Sequence, residues 1–381
     1  MPSVPSRPAT GIGGPNTPRL VIDGGIVATD DAQTIASSIQ SLALQALPPG
    51  VVWGRFWVVI SGSTDGSEHI VRNLASRDPR IQLLVEPARR GKARALRSIM
   101  GLSAAELLVL LNGDAQAAPG ALREMLSVSG SLLPPFAVMA RPVVPALPPT
   151  LLADSLQLLW YFHHRLHEIS LGNGEGNHLS DELLVLSHPP PTELPGEVVN
   201  DGAYLGASLR LHGGGLHYAT QARVIIQVPS SVRGLLKQRT RIRAGHTQIR
   251  ELTGQRPTTL PRFLIRHPRE AVRWFQEVPS EIRRPVGALL LLGWVELVAC
   301  FRGWWEWGHP TRDPVIWPRL GDFRWTQLVS IPEPVEGDGG ELHPPRCDQS
   351  TENAFLSHLG PQGVIPPETN ELEIGRQWQE Q

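Results

Sequence analysis

Two short apolar runs, each closed by a polar turn containing glycine, constrain this chain most. Residues 56–60 run into Ser61-Gly62-Ser63-Thr64-Asp65-Gly66-Ser67, and residues 107–111 run into Asn112-Gly113-Asp114. Between them, Arg90-Gly91-Lys92-Ala93 opens a helical pattern. Short apolar runs bounded by such turns are strands. This order is the layout of a nucleotide-binding α/β domain, whose chemistry sits at the C-terminal ends of parallel strands.

The flanking sequence extends the alternation. Residues 20–28 are expected as a first strand with a turn or bulge at Asp23-Gly24-Gly25. Thr29-Asp30-Asp31 starts a helix bearing Ile35, Ile39, Leu42 and Ala46 at helical spacing. Ser63-Thr64-Asp65 caps the next, with Ile70, Val71 and Leu74 on its apolar side. Strands follow at 81–85, 136–144 and 218–228, and helices at 92–100, 121–127, 151–169 and 235–252. Strand and helix alternating over the first third of the chain predict right-handed βαβ units and a mainly parallel sheet flanked by helices. The expected organisation is a disordered leader (1–18), an α/β unit (19–252, halves 19–145 and 146–252), a basic amphipathic helical extension (253–310) and an irregular acidic tail (311–381).

Composition narrows the function classes. A formal net charge of -1 over 381 residues argues against bulk nucleic-acid binding. The two cysteines, Cys300 and Cys347, can build neither a disulfide framework nor a cysteine zinc site, so a reducing, cytoplasmic setting is expected. Residues 1–17 hold no apolar core of a secretory signal. Residues 286–301 are the most apolar segment, about 16 long against the roughly 20 of a spanning helix, and contain Glu296. Three expectations stand for it: a buried core helix, a helix in the membrane interface with Arg283, Arg284, Arg302, Trp304, Trp305 and Trp307 at headgroup level, or a true span. The second makes 285–307 a peripheral contact at the inner face of the membrane.

Several polar positions invite chemistry. Lys92 in the first turn of a helix opposes the helix dipole, which is explained if it faces an anion. Gln238 and Arg241 lie three apart and share a helix face. His163 and His167, at i and i+4, share another face as in zinc sites, but no Glu follows His163, so the metalloprotease pattern fails. His246, without a second histidine at ligand spacing, reads as structural or acceptor-facing.

In order and wording these motifs resemble the family 2 glycosyltransferases of GT-A fold, nonprocessive and bacterial in type. The resemblance spans roughly residues 20–250. It implies inverting transfer of a sugar from a nucleotide diphosphate to an acceptor hydroxyl or similar nucleophile, dependent on Mn2+ or Mg2+. Asn112-Gly113-Asp114 resembles the family's Asp-x-Asp element, with Pro119 following, and Asp114 matches the aspartate that reaches the metal. Ser61 stands at the position that contacts the nucleobase, and Ala28, Thr29 and Asp31 would line the base pocket. Lys92 and Arg241, with Gln238, would face the diphosphate. Asn200-Asp201 resembles the family's Glu-Asp element, which makes Asp201 the general base, with Asp181-Glu182 as its rival. The implied donor is a UDP-sugar first, then a GDP- or dTDP-sugar; the acceptor is a small molecule, a lipid-linked group or a glycan. Ile60, Ser61, Asn112, Asn200 and Ile242 depart from the family's residues. Those departures support the competing reading, a nucleotide-sugar-binding protein of the same fold without turnover.

Overall fold

The computed structural model describes residues 19–308, Thr192 excepted. Among them, eight strands form one sheet: β1 (Leu20–Ala28), β2 (Val51–Ser61), β3 (Ile81–Glu86), β4 (Leu107–Asn112), β5 (Ala115–Ala117), β6 (Phe136–Val143), β7 (Leu183–Ser187) and β8 (Gly215–Ile226). Their spatial order is β3-β2-β1-β4-β7-β6-β8-β5. The helices are α1 (Ile35–Ala43), α2 (Ser67–Arg77), α3 (Lys92–Leu102), α4 (Ala121–Ser129), α5 (Leu151–Gly172), α6 (Asp201–Leu211), α7 (Val232–Thr253), α8 (Leu260–Arg266), α9 (Pro268–Gln276) and α10 (Pro285–Gly308). The expected leader and acidic tail lie outside the described residues.

Both faces of the sheet are buried, which is why β4 reads as an unbroken apolar run. Val109 and Leu111 join one core with Ile26, Ile60, Ile39 of α1, Val71 of α2 and Met125 of α4. Leu108 and Leu110 face the other way, onto Leu96 and Ile99 of α3 and Leu205 and Leu209 of α6. The α/β architecture is the expected one, and from β1 to β4 the pairings are parallel. Beyond β4 the sheet is mixed: β7 runs antiparallel between β4 and β6, and β5 antiparallel to β8. β5 and β7 lie in stretches whose short apolar runs gave no strand expectation, and β8 runs Gly215–Ile226 rather than 218–228.

The bulge expected near Asp23 is present. Ile22 is in register with Trp53 but Gly24 with Phe56, so β2 carries an extra residue there. The buried Asp23 carboxylate fills the gap, accepting from Arg55 N at 2.8 Å, Trp57 Nε1 at 3.1 Å and Ser103 Oγ at 2.8 Å.

The C-terminal helices are packed onto this body. Phe263 of α8 and Trp274 of α9 stack with centroids 5.4 Å apart, and Trp274 stacks on Phe162 of α5. α10 turns Ala288, Val295 and Ala299 inward. Its Glu296 is ion-paired with both Arg239 and Arg243 of α7.

Asp23→Ala strands three donors, two of them side chains, in the interior. We expect a loss of about 3 kcal/mol in urea denaturation with the slope unchanged.

Candidate active site

The C-terminal ends of β1 and β2 carry two loops locked together by side chains. Asp30 N donates to Ser63 Oγ at 2.9 Å, Asp31 N to Ser67 Oγ at 2.9 Å, and Ala32 N to Asp65 Oδ2 at 2.8 Å. In return Thr64 N donates to Asp30 Oδ1 at 2.8 Å. Asp30 takes φ 51, which its short polar side chain tolerates. Asp65 also receives Ser67 N at 3.0 Å, so it serves the start of α2, though the N-cap itself is Gly66. Thr29 and Ser61 meet here, Thr29 Oγ1 donating to Ser61 O at 3.1 Å. Ala28 is buried below them at the end of β1.

The Asn112-Gly113-Asp114 turn abuts the same edge. Gly113 N donates to Val27 O at 3.0 Å, and its carbonyl accepts from Thr34 Oγ1 at 2.8 Å and Ser38 Oγ at 2.9 Å. A Cβ on Gly113 would lie 2.6 Å from that of Ala28, so the turn can approach β1 only as glycine. Asn112 N donates to Glu182 O at 3.1 Å. Asp114 lies half-buried in this turn.

That last contact brings in the acidic half. β7 is antiparallel to β4, with Leu183 opposite Leu111, so Asp181 and Glu182 arrive at the C-terminal edge of the parallel strands. Asp201 arrives as the first residue of α6, after Asn200, whose Oδ1 accepts from Ala203 N at 3.0 Å and caps the helix. Gly202 permits the approach, because a Cβ there would meet Leu179 O at 2.6 Å. Lys92, at the start of α3, ion-pairs with Asp181 and stands 3.1 Å from Asp201 Oδ2.

The charges separate the three acids. Burial and the neighbouring Asp181 charge push the Asp201 carboxyl up to about 6. Glu182 is raised to about 7 for the same two reasons. Burial opposes ionisation of Asp181 as well, but the Lys92 ammonium outweighs it and holds that carboxyl at about 2. Lys92 is held charged: burial works against the ammonium, and the two aspartates more than offset it. Lys92, the candidate base Asp201 and its rival pair thus form one cluster. From α7, Arg241 Nη2 reaches Val199 O at 3.4 Å, beside the start of α6, while Gln238 lies half-buried one turn away.

Residues 25–144 match the family model described as Glycosyl transferase family 2. Over those residues the chain carries a family 2 glycosyltransferase domain. None of the curated proteins matches the chain. Among solved structures it is similar to the mannosyltransferase PcManGT from Pyrobaculum calidifontis in complex with GDP-Man and Mn2+, at 18% identity and TM-score 0.46, covering 77% of this chain and 76% of that one. It is also similar to GalNAc-T7 with UDP, GalNAc and Mn2+, at 11% identity and TM-score 0.42, covering 55% and 43%. TarS 1-349 of S. aureus follows at 11% identity and TM-score 0.40, covering 59% and 64%.

Behind these acids lies a group of imidazoles. His163 and His167 of α5 place their Nε2 atoms 3.1 Å apart; His167 and His178 have ring centroids 5.7 Å apart, and His178 and His246 5.3 Å. Among the described residues no three His, Cys, Asp or Glu side chains are set to hold a metal ion. Burial keeps His163, His167 and His246 neutral, well below the usual imidazole range, and lowers His178 to about 4. Glu86, last residue of β3, was not among the expected site residues; its bond from Ser61 Oγ at 2.5 Å places it there. The signal in the sequence was an acid at a strand end beside the position where the family's aspartate is missing.

Folded-state imidazoles below 6.5 stabilise the protein above that pH and lose this contribution as pH falls through their folded values. We expect stability to drop between pH 6.5 and about 4. His178→Asn should reduce the slope by up to about 1.4 kcal/mol per pH unit, read by denaturation at stepped pH.

Proposed function

We propose that the chain transfers a glycosyl group from a nucleoside diphosphate to an acceptor hydroxyl with inversion, Asp201 acting as base. The observation that carries this reading is the pairing of the half-buried Lys92 with Asp181 and with the buried Asp201 at the C-terminal edge of the sheet. Asp181, ionised and neutralised by Lys92, cannot take a proton near neutral pH. Asp201, raised to about 6, is ionised at neutral pH and basic enough to accept one. The acceptor oxygen attacks the anomeric carbon opposite the diphosphate. The new C–O bond forms as the bond to the phosphate oxygen breaks, the electron pair leaves with the diphosphate, and the acceptor proton passes to the Asp201 carboxylate.

Asp114 would hold Mn2+ or Mg2+. One carboxylate in a half-buried turn suits an ion that completes its shell with phosphate oxygens and water. Bound there, the ion supplies positive charge to the leaving diphosphate. Arg241, with Gln238 on the same face of α7, adds to that charge. Ala28, Thr29, Asp31 and Ser61 bound the base end, with Asn112 and Gly113 between. The donor is a UDP-sugar first, then a GDP- or dTDP-sugar.

Sugar release and transfer, followed with a panel of nucleotide sugars and Mn2+, test the reading. Asp201→Asn should lower turnover by about 10²–10⁴ and remove the rise in rate centred near pH 6. Asp181→Asn should move that rise to lower pH, because it removes a charge that raises Asp201. Asp114→Ala should abolish metal-dependent stabilisation by the donor. Full turnover in Asp201→Asn would overturn the assignment of the base.

The same enzyme is proposed to work at a membrane surface through residues 285–307. The outer side of α10 presents Val286, Leu290, Leu297 and Phe301, exposed by 71%, 70%, 73% and 64%, with Trp304 beyond. Glu296 is turned inward onto two arginines, while Arg283 precedes the helix and Arg302 lies in its C-terminal part. Because the inner side is packed on α5 and α7, the helix lies along the interface rather than crossing it. The protein should co-sediment with vesicles containing anionic lipid and much less with neutral ones. Leu290→Asp with Leu297→Asp should release it, and retained binding would refute the contact.

A further inference from the structure

We infer that Glu86 selects the donor's base, admitting bases that carry an imino N–H (uracil, thymine, guanine) against cytosine and adenine. The inference rests on the transferase reading above and names the substrate class of the same site.

Glu86 closes β3 in register with Ser61, which closes β2. Side chains of paired residues in neighbouring strands emerge on the same face. That face is the one of Val59, Leu84 and α3, where Lys92 stands, so Glu86 and Ser61 look toward the charged cluster's side of the sheet. The backbone holds the pair closely: Gly62 N donates to Glu86 O at 2.9 Å, and Thr29 Oγ1 to Ser61 O at 3.1 Å. Ser61 Oγ donates to Glu86 Oε2 at 2.5 Å. The serine hydroxyl therefore spends its proton in orienting a carboxylate, and the polar group offered to a base at the end of β2 is the glutamate beside it. Glu86 is half-buried, open enough for a ligand and restrained enough to discriminate.

An ionised carboxylate only accepts. It pairs with the N3–H of uracil or thymine, or with the N1–H and amino group of guanine. Against cytosine or adenine it meets a ring-nitrogen lone pair, an unpaired acceptor facing an acceptor, which is the repulsive element that specificity requires. A glutamine at this position would donate as well as accept, and would remove that repulsion.

The experiment is calorimetric titration of UDP, GDP, dTDP, CDP and ADP, each with Mn2+, into wild type, Glu86→Gln, Glu86→Asp and Ser61→Ala. Wild type should bind one imino-base diphosphate at least about tenfold more tightly than CDP or ADP. Glu86→Gln should bring that ratio to within about threefold. Ser61→Ala should lower it partway, the carboxylate being less well held. Glu86→Asp, which keeps the charge, should retain the preference at lower affinity, and serves if the glutamine variant fails to fold. An unchanged ratio in Glu86→Gln, or a loss of preference in Glu86→Asp, overturns the role of Glu86 while leaving the transferase reading standing. Failure of every nucleoside diphosphate to bind wild type overturns both.

Discussion

Lys92 stands between the half-buried Asp181 and the buried Asp201, and the charge balance of the site follows from that position. Asp181, Glu182 and Asp201 come together where there is little water to solvate them, and one ammonium cannot neutralise three acids. Burying unbalanced charge costs several kcal/mol per ion, so the remaining acids are held nearer their neutral forms. The cluster resolves into one firmly ionised aspartate and two acids raised toward neutrality, the difference in environment that separates a charge holder from a proton acceptor. A lysine in the first turn of a helix opposes the helix dipole; the paired aspartates more than offset that.

The fold delivers these groups by reversing one strand. The parallel strands bring Thr29, Ser61, Glu86 and Asn112 to a common edge, as any doubly wound sheet would. Asp181 and Glu182 stand just before β7, which must run antiparallel for its start to lie at that edge. α6 then closes on the loop before β7 through Gly202. α7 faces two ways, Arg241 toward the start of α6 and Arg239 and Arg243 toward Glu296 of α10. The buried ion pairs of Glu296 therefore tie the apolar helix to the helix that borders the site.

Much of this was legible in the chain. β1 through β4 and α3 could be read because apolar runs and glycine turns are local signals, and the bulge at Asp23 was marked by a charged residue and two glycines inside an apolar run. β7 was not legible: four apolar residues and a serine with no distinctive flanks do not announce a direction, and nothing in Asp181-Glu182 says that they precede a strand. The capping of α6 by Asn200 could be expected from residue type. The partners of Lys92 could not, since Asp181 and Asp201 lie far along the chain from it.

The α/β class, the strand-end turns and the identity of the polar residues there are written in the residue pattern. These depend on side-chain periodicity and on the backbone freedom of glycine, both properties of neighbouring residues. Which acid Lys92 holds ionised, which is raised toward neutrality, and that Glu86 takes a place beside Ser61 follow from the packing of the chain. Those outcomes depend on distance and burial between residues far apart in the chain, which no local pattern carries.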